Sequence, residues 1–259
     1  MRDVRGVIAP NAVDTDRFRP GESTSASKAR LGWPTEVLAV SVVGNLSPLK
    51  GQDVFLEAAG DVRDQFDGPV AFHLAGRDLT ADGGWTQALL GQIDRAGLGG
   101  CVTLHGPIDD VVPVYQASEV VVWPGRPASV CPSGDGTRVF QVGFPRCVIE
   151  SAACGKPLVL CDTPGVAEAA IADETGLFVP PEDPSAMAEA ILTLLRDPNR
   201  LGAMGRTARQ LAVTRFGLEE HGRLIGNIYE SVLDEWSAWH GASSRVHRLT
   251  AASFPGGST

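Results

Sequence analysis

The residues best suited to chemistry lie between Gly143 and Gly165, in the run Gly-Phe-Pro-Arg-Cys-Val-Ile-Glu-Ser-Ala-Ala-Cys-Gly-Lys-Pro-Leu-Val-Leu-Cys-Asp-Thr-Pro-Gly. The types and spacing predict a loop, a helix, a tight turn, a strand and a second loop. Pro145 stands where a first-turn proline is welcome, since the N–H it lacks would be unpaired there. Val148, Ile149, Ala152 and Ala153 recur at helical spacing. Gly155 stops the helix and Pro157 forbids its continuation. The start of such a helix offers free backbone N–H groups, those around Arg146 and Cys147, and a partial positive charge. That is a ready receptor for phosphate. One carboxylate, Glu150, falls in the second turn, close to it.

The elements that position these residues alternate along the chain. Glu36–Gly44 reads as a buried strand, Asn45–Gly51 as a loop carrying Lys50, and Gln52–Ala59 as a helix with Phe55, Leu56 and Ala59 on one side. Strand, glycine, loop and helix in that order can receive phosphate at the carboxyl edge of a sheet. Further strands are expected at Pro69–Gly76, Cys101–Gly106, Glu119–Trp123, Leu158–Cys161 and Thr175–Val179. Helices are expected at Trp85–Ala96, Asp109–Gln116, Val166–Ile171 (carrying Glu168), Ser185–Arg196, Asn199–Val213 and Leu218–Trp236. Asp183 before Pro184 is a candidate N-cap. Pro124–Gln141 is rich in Gly, Pro and Ser and reads as loop, and Val7 opens a short first strand. The alternation predicts an α/β fold: a Rossmann-like, doubly wound parallel sheet with helices on both faces.

Composition narrows the class. The 259 residues suffice for one large α/β domain or two small ones. The net charge is −9 without a basic cluster, which argues against nucleic acid as a partner. No apolar run approaches the ~20 residues of a membrane helix, and Met1–Pro10 lacks the apolar core of a signal peptide. The five cysteines form no Cys-x-x-Cys, which favours free thiols in a reducing compartment, here taken as the cytoplasm. The five histidines show no ligand spacing, so no metal is expected.

The segment Gly143-Phe144-Pro145, Glu150, Ala152-Ala153, Gly155, Pro157 and Pro164-Gly165, with Glu168 just after, resembles the donor-site segment of retaining glycosyltransferases of family 4, in the group 1 class with the GT-B fold. The resemblance spans about Val4–Glu235. It includes Asn45-Leu-Ser-Pro-Leu-Lys50-Gly51, similar to the family's Gly-Arg-Leu…Lys-Gly motif, and Pro10-Asn-Ala-Val-Asp14…Phe18…Pro20, similar to the stretch at the junction of the two GT-B domains. It implies that the chain is the C-terminal, donor-binding half. Residues 1–20 are then the inter-domain segment and first strand, 21–236 the nucleotide-sugar-binding domain, and 237–259 a disordered tail.

By that resemblance Glu150 accepts hydrogen bonds from the ribose hydroxyls, Lys50 neutralises the diphosphate, and the helix-start amides hold phosphate. Gly44, Asn45, Gly106, Ile108, Val142, Gly143, Phe144, Pro145, Arg146 and Cys147 complete the expected donor site, with Gly106-Pro107-Ile108 meeting the base. The co-substrate is a nucleoside-diphosphate sugar and no cofactor is needed. Two positions depart from the family. Asn45 stands in place of its arginine, and Val142 in place of its first glutamate, which contacts the transferred sugar. No catalytic residue is assigned. The implied function is transfer of a sugar from a nucleotide sugar, with a separate chain or upstream segment supplying the N-terminal domain. The alternatives are a non-catalytic nucleotide-sugar-binding or regulatory protein, and a flavodoxin-like or receiver-type module. Gly44-Asn45 lacks the paired acids that a receiver needs.

Overall fold

The computed structural model describes residues 7–133, 136–141 and 143–240. Residues 10–221 form one compact unit, and 7–9 with 222–240 belong to a second. The first unit is built on six strands: β1 Leu38–Val43, β2 Val70–Ala75, β3 Val102–Gly106, β4 Val120–Trp123, β7 Leu158–Cys161 and β8 Gly176–Val179. They lie in the order β3-β2-β1-β4-β7-β8, every neighbouring pair parallel. The order reverses between β1 and β4, where Val40 pairs with Val120 and Ser41 with Val121. A parallel sheet opens a crevice at the carboxyl ends of its strands at such a reversal.

Strand side chains alternate between two cores. Val40 and Val42, Val120 and Val122, and Val159 and Cys161 face one core, with α2 Gln52–Gln65, α3 Gly84–Arg95 and α6 Pro184–Leu195. Val43, Val121, Trp123, Leu158 and Leu160 face the other, with α4 Val112–Ala117, α5 Arg146–Ala153 and α7 Pro198–Phe216. Runs such as Leu-Val-Leu-Cys are apolar throughout because both of their faces are covered. The helix α1, Thr24–Leu31, is capped by the Ser23 hydroxyl, which accepts from Ala26 N at 3.0 Å. Asp183 caps α6 as expected, accepting from Ala186 N at 2.9 Å.

Most polar groups inside the unit are paired, as burial demands, with Trp123 Nε1 and Thr163 Oγ1 the exceptions among the described residues. The Lys28 ammonium meets Glu119 at 2.7 Å, and the other Glu119 oxygen accepts from Ala39 N. Trp33 stacks on His73 with ring centres 3.6 Å apart, and His73 Nδ1 lies 3.0 Å from His105 Nε2. The start of the unit is tied to its end. Val13 N donates to Phe216 O at 2.8 Å, and Arg209 Nη1 donates to Thr15 O, Phe18 O and Ala153 O.

Four sequence expectations are corrected. No strand begins at Val7: residues 7–12 are irregular, and Val13 forms a single bridge with Gly217. Pro124–Gln141 is not all loop, since β5 Ala128–Ser133 and β6 Gly136–Gln141 pair as an antiparallel hairpin. The segment around Glu168 is a series of turns, closed by Val166 N to Thr163 O and Ala169 N to Val166 O, too short in reach for a helix. Residues 237–240, expected in the tail, continue α8 Leu218–His240; 241–259 lie outside the described residues.

Candidate functional site

A cleft of about 590 Å³ opens where the strand order reverses. Its walls come from the end of β1 (Gly44, Asn45), the following turn (Lys50), α4 (Tyr115), the end of β4 (Trp123) and the start of α5 (Pro145, Arg146, Cys147, Glu150). A second hollow of about 380 Å³ shares Val43, Gly44, Asn45 and Val111 with it and runs on to Gly76, Arg77, Pro107 and Ile108. Gly44 adopts φ 148°, and a side chain there would meet open space rather than protein. A glycine at this point lets a ligand lie directly on the backbone of the sheet edge.

Glu150 is the organised acid of the cleft. The Tyr115 hydroxyl donates to Glu150 Oε2 at 3.0 Å, and Arg146 Nε stands 3.6 Å from Oε1. Tyr115 is fully buried, and burial pushes its pKa well above 10, so it remains a donor. The carboxylate is thus fixed by a neutral partner and keeps acceptor capacity for vicinal hydroxyls. Pro145 is the N-cap of α5 and makes no side-chain cap hydrogen bond. The first amides of α5 therefore have no capping acceptor from it.

Lys50 ends the 3-10 turn Pro48–Lys50. Its ammonium lies over the Trp123 ring, 4.7 Å from the centroid, a cation–π contact. Burial lowers its pKa from the ordinary lysine value. Burial raises the Cys147 thiol to about 12, so it carries little of the thiolate that nucleophilic chemistry needs. The cleft also contains Arg17 and Asp109. Its cations fit a diphosphate and its ordered carboxylate fits a diol.

The structure brings Gly44, Asn45, Lys50, Pro145, Arg146, Cys147 and Glu150 to one cleft and Ile108 to the adjoining hollow. Asn45 is exposed at the rim. Gly106 ends β3, where its carbonyl accepts from Gly76 N. Phe144 packs its ring edge-on to Phe216 at 5.4 Å, and its carbonyl accepts from Asn11. Gly143 backs onto Gly165, where an added Cβ would come within 3.0 Å of the Gly143 carbonyl carbon. Val142 lies outside the described residues. Sequence reasoning missed Tyr115 and Trp123. Each is an aromatic in an apolar run, and only the fold turns it toward the cleft. Among the described residues, no group of three or more His, Cys, Asp or Glu is placed to hold a metal ion, and no helix is long and apolar enough to cross a membrane.

A six-stranded parallel sheet in this order, with a phosphate-compatible cleft at its reversal, defines a Rossmann-like domain. Sucrose-phosphate synthase of Thermosynechococcus elongatus superposes with a TM-score of 0.73 at 26% identity, over 88% of this chain and 52% of its own. HepE of Anabaena, solved in complex with UDP, gives 0.73 at 23% identity, over 85% and 56%. The family model described as "Glycosyl transferases group 1" matches residues 38–197, more than half of the chain, which belongs to that family. The D-inositol 3-phosphate glycosyltransferase of Corynebacterium jeikeium is 28% identical over 230 residues, 87% of this chain and 51% of that protein. The chain spans about half the length of the curated relatives it matches.

Proposed function

We propose that this chain binds a nucleoside-diphosphate sugar as the donor half of a retaining glycosyltransferase of family-4 type. The observation that supports it is the convergence of Glu150, Lys50 and the start of α5 on one cleft at the sheet reversal. In this reading Glu150, held by Tyr115, accepts from the two ribose hydroxyls. Lys50 sets a point charge against the diphosphate. The α5 amides receive a phosphate oxygen. The base lies in the hollow beside Pro107 and Ile108.

As the sugar departs, negative charge grows on the nucleoside diphosphate. In this reading Lys50 and the amides oppose that charge, so they stabilise the transition state as well as the bound donor. The chemistry needs no redox cofactor. The free thiols of Cys101, Cys147, Cys154 and Cys161 fit work in a reducing compartment.

A second reading, a non-catalytic nucleotide-sugar-binding protein, is favoured by the uncharged, exposed Asn45 and by valine at position 142. Calorimetry with UDP, GDP and ADP tests donor binding. Heat with one of them at millimolar ligand or below is expected. Silence with all three, together with no thermal shift, would contradict both readings. Turnover of a radiolabelled donor, with the acceptor-binding domain supplied, separates the two.

A further inference from the structure

Arg126 lies outside the cleft, in the connection between β4 and the hairpin, yet it is the most heavily bonded cation described in the chain. Its Nη1 and Nη2 donate to both oxygens of Asp53, at 2.9 and 2.8 Å, and Nε donates to Glu182 at 2.7 Å. Nη1 also donates to Pro48 O, and the Arg126 backbone N–H donates to Leu49 O at 3.0 Å. The two carbonyls that precede Lys50 are therefore both held by one residue. The next residue, Gly51, adopts φ 66°, and a Cβ there would stand 1.9 Å from Pro124 O. Trp123, which lies under the Lys50 ammonium, is three residues upstream of Arg126. The exit of β4 is thus a bed for the Lys50 turn: a ring under its charge, a carbonyl against its glycine, and a guanidinium across its backbone.

The charges make a second point. Asp53 is three residues from Lys50, at the second position of α2. Left alone, its carboxylate could swing to the ammonium and cancel it. The Arg126 fork occupies both of its oxygens, a geometry that lysine cannot reproduce. Among the described residues Lys50 makes no ion pair with a carboxylate; its ammonium rests on the Trp123 ring, with the Cys147 thiol nearby. A positively charged group kept free of carboxylates, half-buried and fixed in direction is suited to an incoming anion.

We propose that Arg126 is the positioning residue for Lys50: it fixes the turn and sequesters Asp53, so that the ammonium is available to the diphosphate. This inference rests on the donor-binding reading. The experiment measures affinity for UDP and for inorganic pyrophosphate by calorimetry, in the full chain, for four proteins: wild type, Arg126→Gln, Lys50→Met and the double variant. With Arg126→Gln alone, both ligands are expected to bind about tenfold more weakly, the loss of one charged contact. In the Lys50→Met background the same change is expected to cost less than about twofold, because a residue acting through Lys50 has nothing left to act on. A merely structural role would weaken binding equally in both backgrounds, and that result overturns the proposal, as does unchanged affinity in Arg126→Gln. Arg126→Lys, which keeps the charge and much of the stem, carries the same cycle should Arg126→Gln fail to fold. Adding Asp53→Asn to either variant is expected to restore part of the affinity. A wild-type chain that binds no nucleoside diphosphate would instead sink the donor reading, and this proposal with it.

Discussion

At the scale of single residues, Glu150 carries the sharpest expectation. Glu150→Ala should weaken nucleoside diphosphate binding by about 1–3 kcal/mol, the range for hydrogen bonds to a charged group. Its partner is the ribose, so the loss for inorganic pyrophosphate should be much smaller. Calorimetry with both ligands decides it, and equal losses would place Glu150 elsewhere. Glu150 was legible in the sequence because its offsets to Gly143, Gly155 and Pro157 are local. Tyr115 was not legible, because its contact with Glu150 spans 35 residues. The same holds for Arg126, whose carboxylate partners are 73 and 56 residues away. Local spacing reveals what one helix turn can do, while a hydrogen bond between crossovers is fixed only when the sheet closes.

At the scale of elements, the paired histidines of β2 and β3 bear on acid stability. His73 is buried beneath Trp33 and beside His105, with Lys28 near. Burial, followed by the His105 and Lys28 charges, lowers its pKa from 6.5 to about 4. The unfolded chain takes up this proton near pH 6.5, whereas the folded chain resists until about pH 4. The stability is therefore complete above pH 6.5 and falls as pH drops through that window, by up to about 3 kcal/mol at 1.4 kcal/mol per pKa unit. Urea melts at pH 7, 5.5 and 4.5 should show the slope, and His73→Phe, which keeps a ring against Trp33, should flatten it. An identical slope in the variant would assign the acid lability to other groups. Element types were largely readable from periodicity: all six sheet strands fall within a residue or two of expectation. The hairpin β5–β6 escaped because Pro132 and the surrounding Gly and Ser spoke for loop. The Gly-Asp pair at 134–135 between two short runs was the signal that pointed the other way. The turns around Glu168 failed differently, since a few residues of helical spacing cannot outweigh the cost of starting a helix.

At the scale of the whole molecule, the question is what this chain does by itself. Positioning an acceptor against a bound donor supplies up to ~7–11 kcal/mol of a transfer barrier. In GT-B enzymes that task falls to the other Rossmann-like domain. Residues 1–259 alone are therefore expected to hold the donor and transfer negligible sugar. A radiolabelled-donor assay over a panel of lipid and sugar acceptors checks this, and robust turnover by a verified monomer would defeat it. Within the second unit, Tyr229, Val232, Leu233 and Trp236 fall on one side of α8 and are exposed. Exposed apolar side chains in a row are the kind of surface on which another polypeptide docks. Addition of a polypeptide carrying the other domain is expected to protect it from hydrogen exchange while restoring transfer.

The tie between residues 13–18 and α7 has a consequence for how the protein is made. The ribosome emits Thr15 and Phe18 long before Arg209, whose guanidinium their carbonyls await across 194 and 191 residues. Until that arginine emerges, the carbonyls of Thr15 and Phe18 lack the donor that ties them to α7, although every strand of the sheet has already been made. Such long-range closure is slow to find. A chain cut short before Arg209 therefore carries every strand of the sheet but lacks the guanidinium that fastens Thr15 and Phe18 to α7, a sheet that has been built but never buckled.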